Sequence, residues 1–180
     1  MMKYAIVLLA LVLATPAAGQ DMSSFTMGPV FEEFGPVADV EADMDLPDNA
    51  YFRAAFDAAK GAEDGKLNST LNGAARFINM HVRAGVPEER IDVAVVVHGG
   101  AVLDLLRAEP YAARKDGAEN ANAPLVAALV EHGVRIIVCG QSATALGVAN
   151  EDLLPGIEVA LSAMTAHALL QQQGYTVNPF

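Results

Sequence analysis

Residues 91–100 read IDVAVVVHGG, and their pattern decides the fold class. The first seven are almost continuously apolar and rich in Val. They break off at His98 and two glycines. A half-exposed strand would alternate apolar and polar residues, so an unbroken run predicts a strand covered on both faces, as in a parallel sheet. VRIIVC at 134–139 repeats the pattern and also ends on a reactive side chain followed by glycine, here Cys139 and Gly140. GIEVAL at 156–161 reads as a shorter strand. AYFRAAF at 50–56 alternates weakly and reads as the first strand, and YTVNP near the end as a last strand or tail.

Helical signals lie between these runs. Leu71, Ala74, Ala75, Ile78 and Val82 recur at helical spacing and form one apolar stripe, with Asn68 or Ser69 to cap its start and Gly85 to end it. HGGAVLDLLR is expected to turn from strand into helix. AEPYAARKDGAENA at 108–121 is polar and irregular, a loop with a helical turn. Pro124 suits the first turn of a helix through PLVAALVEHG, and Ser162 can cap AMTAHALLQQQG. Strands that alternate with helices call for a parallel or mostly parallel sheet with helices on both faces, a three-layer α/β/α sandwich. There is no internal repeat and no low-complexity segment.

The chain begins MMKYAIVLLALVLATPAAGQ. Lys3 precedes an apolar run from Ala5 to Ala14, and Ala17 and Gly19 are spaced like a signal-peptidase site, which is the pattern of an export leader. The run is too short to span a bilayer, which takes roughly 20 apolar residues. We therefore expect a signal peptide over residues 1–19 and a bacterial periplasmic address for the mature chain, with no membrane attachment after cleavage. Residues 20–49 form an acidic N-terminal arm. FEEFGPVADVEADMDLPDN within it carries seven acidic residues and no basic one. Phe25, Phe31, Phe34 and Val37 are scattered along the arm, suited to tack it to the domain or to a neighbouring subunit. Residues 50–180 make the α/β domain.

The formal net charge is −11, and one unit more negative without Lys3. That balance repels nucleic acid and anionic lipid, and both are excluded as partners. A single cysteine forms no internal disulfide. In an oxidising compartment it is either buried and inert or kept for its chemistry.

In open α/β sheets, sites form outside the carboxyl ends of the strands. His98 and Cys139 each occupy such an end, and each is followed by glycine, which lets backbone approach a ligand. If their strands are neighbours, imidazole and thiol face one crevice. A thiolate is the active form of cysteine, and a helix amino terminus beginning at GQSATAL would favour it. A small apolar residue at the end of a buried strand fits the same pattern. Gly99, Gly140, Gln141 and Ser142 are the candidate ligand-binding residues around the pair. His81, His132 and His167 read as helix-face or helix-end residues without metal-ligand spacing. Phosphate loops and nucleophile elbows are absent from the sequence, and no metal or cofactor is called for.

Three segments together, IDVAVVVHGGAVLDLL, GVRIIVCGQSA and DLLPGIEVALSAMTAHALLQQQGY, resemble the DsrE/DsrF-like family from about residue 50 to the end. The resemblance implies a flavodoxin-like sandwich, assembly into homo-oligomers such as trimers or hexamers, and a link to sulfur metabolism. Sulfur-relay members carry persulfide on a cysteine in the loop after the Gly-Val strand, many of them on the second cysteine of Cys-x-x-Cys. Here the stretch reads Cys139-Gly140-Gln141-Ser142, and a hydroxyl holds no persulfide, so Cys139 would carry the sulfur. Two functions are consistent with these residues. One is a periplasmic sulfur carrier with a donor or acceptor protein as partner, Cys139 and His98 acting together. The other is a non-catalytic oligomeric module binding a ligand or protein, with Cys139 as packing.

Overall fold

The computed structural model describes residues 21–179; the export leader read at residues 1–19 lies outside them. Five strands form one sheet: β1 (Phe52–Ala58), β2 (Ile91–Val97), β3 (Arg135–Cys139), β4 (Ile157–Ala160) and β5 (Thr176–Asn178). Their order is β4-β3-β2-β1-β5, and every pairing is parallel. The helices are α1 (Ser69–Arg83), α2 (Ala108–Arg114), α3 (Ala123–Glu131), α4 (Gly140–Ala145) and α5 (Ala163–Gln172). This is a flavodoxin-like α/β fold.

The order of strands dictates where the helices lie. From β1 to β4 the chain steps across the sheet in one direction. Parallel crossovers of constant hand then keep the intervening helices on one face. From β4 it must return past the whole sheet to pair β5 with β1, and a reversed step of the same hand puts its helix on the opposite face. The packing follows this rule. Leu71, Ile78, Leu125, Leu129 and Ala143 pack with Phe56, Val95, Val97, Ile136 and Val138 on one face. On the other, α5 alone buries Ala166 and Leu170 against Ala55, Ala94, Val96 and Ile137.

β2 is buried at nearly every position, as its sequence requires of a central strand. β4, at the edge, is mostly exposed, and Arg135 ties it to β3 with two 2.8 Å bonds to Glu158. Asn68 caps α1 by accepting from the Thr70 and Leu71 N–H groups. The structure differs from the sequence reading in three places. HGGAVLDLLR forms a 3-10 segment over Gly99–Leu105 rather than an α-helix, because Gly99 has φ +54° and the segment closes back on β1 through the bond from the Ala101 N–H to Ala59 O. The polar stretch after Arg107 folds as α2, held by buried Tyr111. The first strand starts two residues later than read and extends to Ala58, which brings Asp57 into it.

The central anchor of the arm is a buried amide. Asn79 on α1 is 0% exposed. Its Oδ1 accepts from the Val30 and Phe31 N–H groups at 3.0 and 2.8 Å. Its Nδ2 donates to the carbonyls of Phe31, Phe34 and Gly35 at 3.1, 2.9 and 3.0 Å. Phe31 and Val37 are buried beside it, and Arg83 donates to the Val37, Met27 and Gly28 carbonyls. Asn79→Ala leaves these five backbone groups without their partner. We expect a loss of about 2–4 kcal/mol, read as a lower urea midpoint, with faster proteolytic cleavage within residues 21–49.

Candidate functional site

The opposed placement of α4 and α5 creates a crevice between the carboxyl ends of β3 and β4. The chain leaving β3 turns to one face and the chain leaving β4 to the other, which is the topological switch point of an open sheet. Cys139, the last residue of β3, occupies this point. An open groove of about 300 Å³ runs beside it, lined by Gly140, Gln141, Thr144, Val159, Ala160 and Leu161. Gly140 is required here: a Cβ would stand 2.7 Å from the Ala160 carbonyl oxygen.

Cys139 is 5% exposed, yet aliphatic carbon is not all that surrounds its thiol. The Ser142 N–H, in the first turn of α4, points at Sγ at 3.5 Å. Ser162 caps α5 with a bond from the Thr165 N–H at 3.1 Å, and this brings the first turn of that helix to the same sulfur. Burial pushes the Cys139 pKa up. The Ser142 hydroxyl and the N–H groups of Ser142, Ala163 and Gln141 pull it down by more, and the thiol lies below its ordinary value. Two helix starts on opposite faces thus supply the N–H groups that favour a thiolate.

Ser142 has a second contact. Its Oγ accepts from the Gly99 N–H at 3.1 Å, linking the turn after β3 to the turn after β2. Gly99 cannot carry a side chain, since a Cβ at its positive φ would meet the Ala59 carbonyl oxygen at 2.9 Å. The sequence reading placed Gly99, Gly140, Gln141 and Ser142 around Cys139; the structure gathers them at one sheet end. Gln141 is exposed at the rim.

His98 follows β2, next to β3 in the sheet. Val97 pairs with Val138, so His98 and Cys139 are the next residues along neighbouring strands and lie on the same side of the sheet, toward α5. Their rings and sulfur nevertheless have different partners. His98 Nε2 bonds to Asp57 Oδ2 at 3.0 Å. The other oxygen of Asp57 receives His167 Nε2 from α5 at 2.7 Å. One carboxylate from β1 therefore holds two imidazoles. Burial pushes the Asp57 pKa up, the bonds from His98 and His167 pull it down further, and the carboxyl lies below its usual range.

Asp57 and His167 escaped the sequence reading. The sequence reads His167 as a helix-face residue; in the structure that position of α5 meets Asp57 of β1. A signal existed for Asp57. It is the only acidic residue in an otherwise apolar strand end, FDAA, and a charge there needs a partner. His81 and His132, read as non-ligands, bond to the Phe77 carbonyl and to Glu88 respectively. Among the described residues no group of three or more His, Cys, Asp or Glu has the geometry to hold a metal ion.

A model of the DsrE/DsrF-like family matches residues 50–179. No curated protein matches the chain. Two solved structures are similar to it. MTH1491 from Methanobacterium thermoautotrophicum, a protein of unknown function, has 20% identity and a TM-score of 0.51, over 72% of this chain and 99% of that one. YchN from E. coli has 18% identity and a TM-score of 0.53, over the same shares. At these identities the likeness concerns the fold.

The Cys139 geometry predicts a pH effect with a definite sign. Between the lowered folded midpoint and the ordinary midpoint of the unfolded chain, the folded protein binds fewer protons. The stability owed to this thiol therefore grows as pH rises through that window and is lost as pH falls back through it. We expect the thiolate absorbance near 240 nm to titrate at lower pH in the folded protein than in urea, with Ser142→Ala moving the folded midpoint upward.

Proposed function

The chain belongs to the DsrE/DsrF-like family, which is associated in general with sulfur metabolism, and from that premise we propose that it is an exported sulfur carrier with Cys139 as its persulfide site. The observation that carries the reading is the Ser142 N–H at the start of α4, directed at the Cys139 sulfur at 3.5 Å at the switch point, where the thiol's pKa lies below its ordinary value. A carrier must attack sulfane sulfur as a thiolate and later leave as one. Hydrogen bonds that lower the thiol's pKa favour both steps. Ser142 stands where many relay proteins of the family have their second cysteine, so the load falls on Cys139. Gly99, Gly140, Gln141 and Ser142 border the sulfur, and His98 is the nearest imidazole along the sheet edge.

The leader pattern at residues 1–19 supports a periplasmic address. Among the described residues no helix is long and apolar enough to cross a membrane. The α5 face supports self-association into a trimer or hexamer, because one helix covers it and Leu161 and Met164 stay exposed beside the site. The partners are then further copies of the chain and a sulfur-donating or sulfur-accepting protein. The 5% exposure of Cys139 favours a second reading, a non-catalytic oligomeric module that binds a ligand or protein in the same crevice.

Intact mass after incubation with polysulfide separates the two. A carrier gains the mass of sulfur, and the gain disappears in Cys139→Ser. An unmodified chain whose thiol also resists alkylation until denatured supports the binding module. Elution as a monomer in size-exclusion chromatography rules out the self-association in either case.

A further inference from the structure

Asp57, His98 and His167 come from three elements, β1, the end of β2 and α5, that meet only in the folded chain. Asp57 uses a separate oxygen for each ring, at 3.0 Å to His98 and 2.7 Å to His167. The arrangement fixes hydrogen positions. An ionised carboxylate only accepts, so each imidazole places its hydrogen on Nε2. His167 Nδ1 is buried without a hydrogen-bond partner, which fits a bare lone pair there and not a stranded N–H. His167 thus acts as a fixed donor that orients the carboxylate. The His98 side chain is 31% exposed, and its Nδ1 is left as the accepting atom. Val97 pairs with Val138, so His98 follows β2 at the position next to Cys139 at the end of β3.

We propose that Asp57 and His167 are positioning residues that hold His98 as the proton-transfer group for sulfur exchange at Cys139. The inference rests on the carrier reading and adds the device by which the sulfur is released. The acceptor is a thiol, R–SH. Its proton passes to His98 Nδ1, and the resulting thiolate attacks the outer sulfur of the Cys139 persulfide. The S–S bond to Cys139 breaks, and its electron pair stays on Sγ as the thiolate that the N–H groups of Gln141, Ser142 and Ala163 favour. The outer sulfur keeps the hydrogen of the neutral persulfide and departs as R–S–SH, and His98 gives its proton to solvent. One S–S bond forms and one breaks, one proton moves through the imidazole, and no external oxidant or reductant is consumed. Asp57 acts through His98: with its carboxylate on Nε2, the ring presents a lone pair at Nδ1 in every turnover.

The test compares loading with release. Wild type, Asp57→Asn, His167→Ala and His167→Gln are loaded with polysulfide, and loss of sulfur to free cysteine is followed by intact mass. Asp57→Asn should load to the wild-type extent but release sulfur more slowly, by on the order of 100-fold, the size of a lost proton-transfer contribution. Nitrogen NMR of its His98 ring should show that the hydrogen on Nε2 is no longer fixed, since an amide can donate to that atom. His167→Ala should slow release, and His167→Gln, which keeps an N–H near the place of Nε2, should recover most of the loss. Release from Asp57→Asn at the wild-type rate, or a His98 ring unchanged in that variant, overturns the inference while leaving the carrier intact. A wild-type chain that takes up no sulfur overturns both. If Asp57→Asn does not fold, the two His167 variants and His98→Gln decide: equal release from all three overturns the assignment.

Discussion

The structure depends on one reversal of direction. Four parallel strands are laid down in sequence across the sheet, and the fifth pairs at the starting edge. Because a parallel crossover keeps its hand, the return segment has to travel over the opposite face. That single constraint separates α4 from α5 and opens a crevice between the ends of β3 and β4. It also aims two helix starts at one atom from opposite sides. The thiol's position is therefore a consequence of topology and not of a local motif. A chain with the same GQSATA turn, but with its last helix on the first face, would have no Ala163 N–H at the sulfur.

The site also shows how an acidic protein keeps charge at a partly buried sheet end. Burial by itself opposes ionisation at both Cys139 and Asp57. In each case directed hydrogen bonds reverse the outcome: backbone and hydroxyl donors at the sulfur, two imidazoles at the carboxylate. Neither group has a lysine or arginine as hydrogen-bond partner. Backbone dipoles, a hydroxyl and two imidazole rings provide the stabilisation.

On the opposite face, the arm is joined to the domain by a comparable economy. Asn79 has one acceptor and one donor group in its amide, and all five of its bonds go to the backbone of residues 30–35. The arm carries many like charges, and most of its large apolar side chains stay partly or fully exposed. It is fixed instead by a fully satisfied polar anchor on α1, with Phe31 and Val37 placed beside it.

The sequence by itself determined the alternation of strands and helices, the burial of IDVAVVV on both faces and the cap at Ser162, and it narrowed the cap of α1 to Asn68 or Ser69. It also determined that His98 and Cys139 lie at strand ends. These follow from apolar period, cap chemistry and glycine placement, which act over a few residues. It left the 3-10 segment after His98 unread, because that depends on how Gly99 folds back on Ala59. Only the tertiary structure decided the partners of the site residues. His98, read beside the thiol, is its neighbour in register but gives its Nε2 to Asp57. Asp57 and His167 are separated by more than half of the chain and meet because α5 lies on the sheet face that Ala55 of β1 also lines. No local pattern encodes such a meeting: the spacing that makes His167 part of a helix face is the same whether that face covers solvent, a strand or a carboxylate.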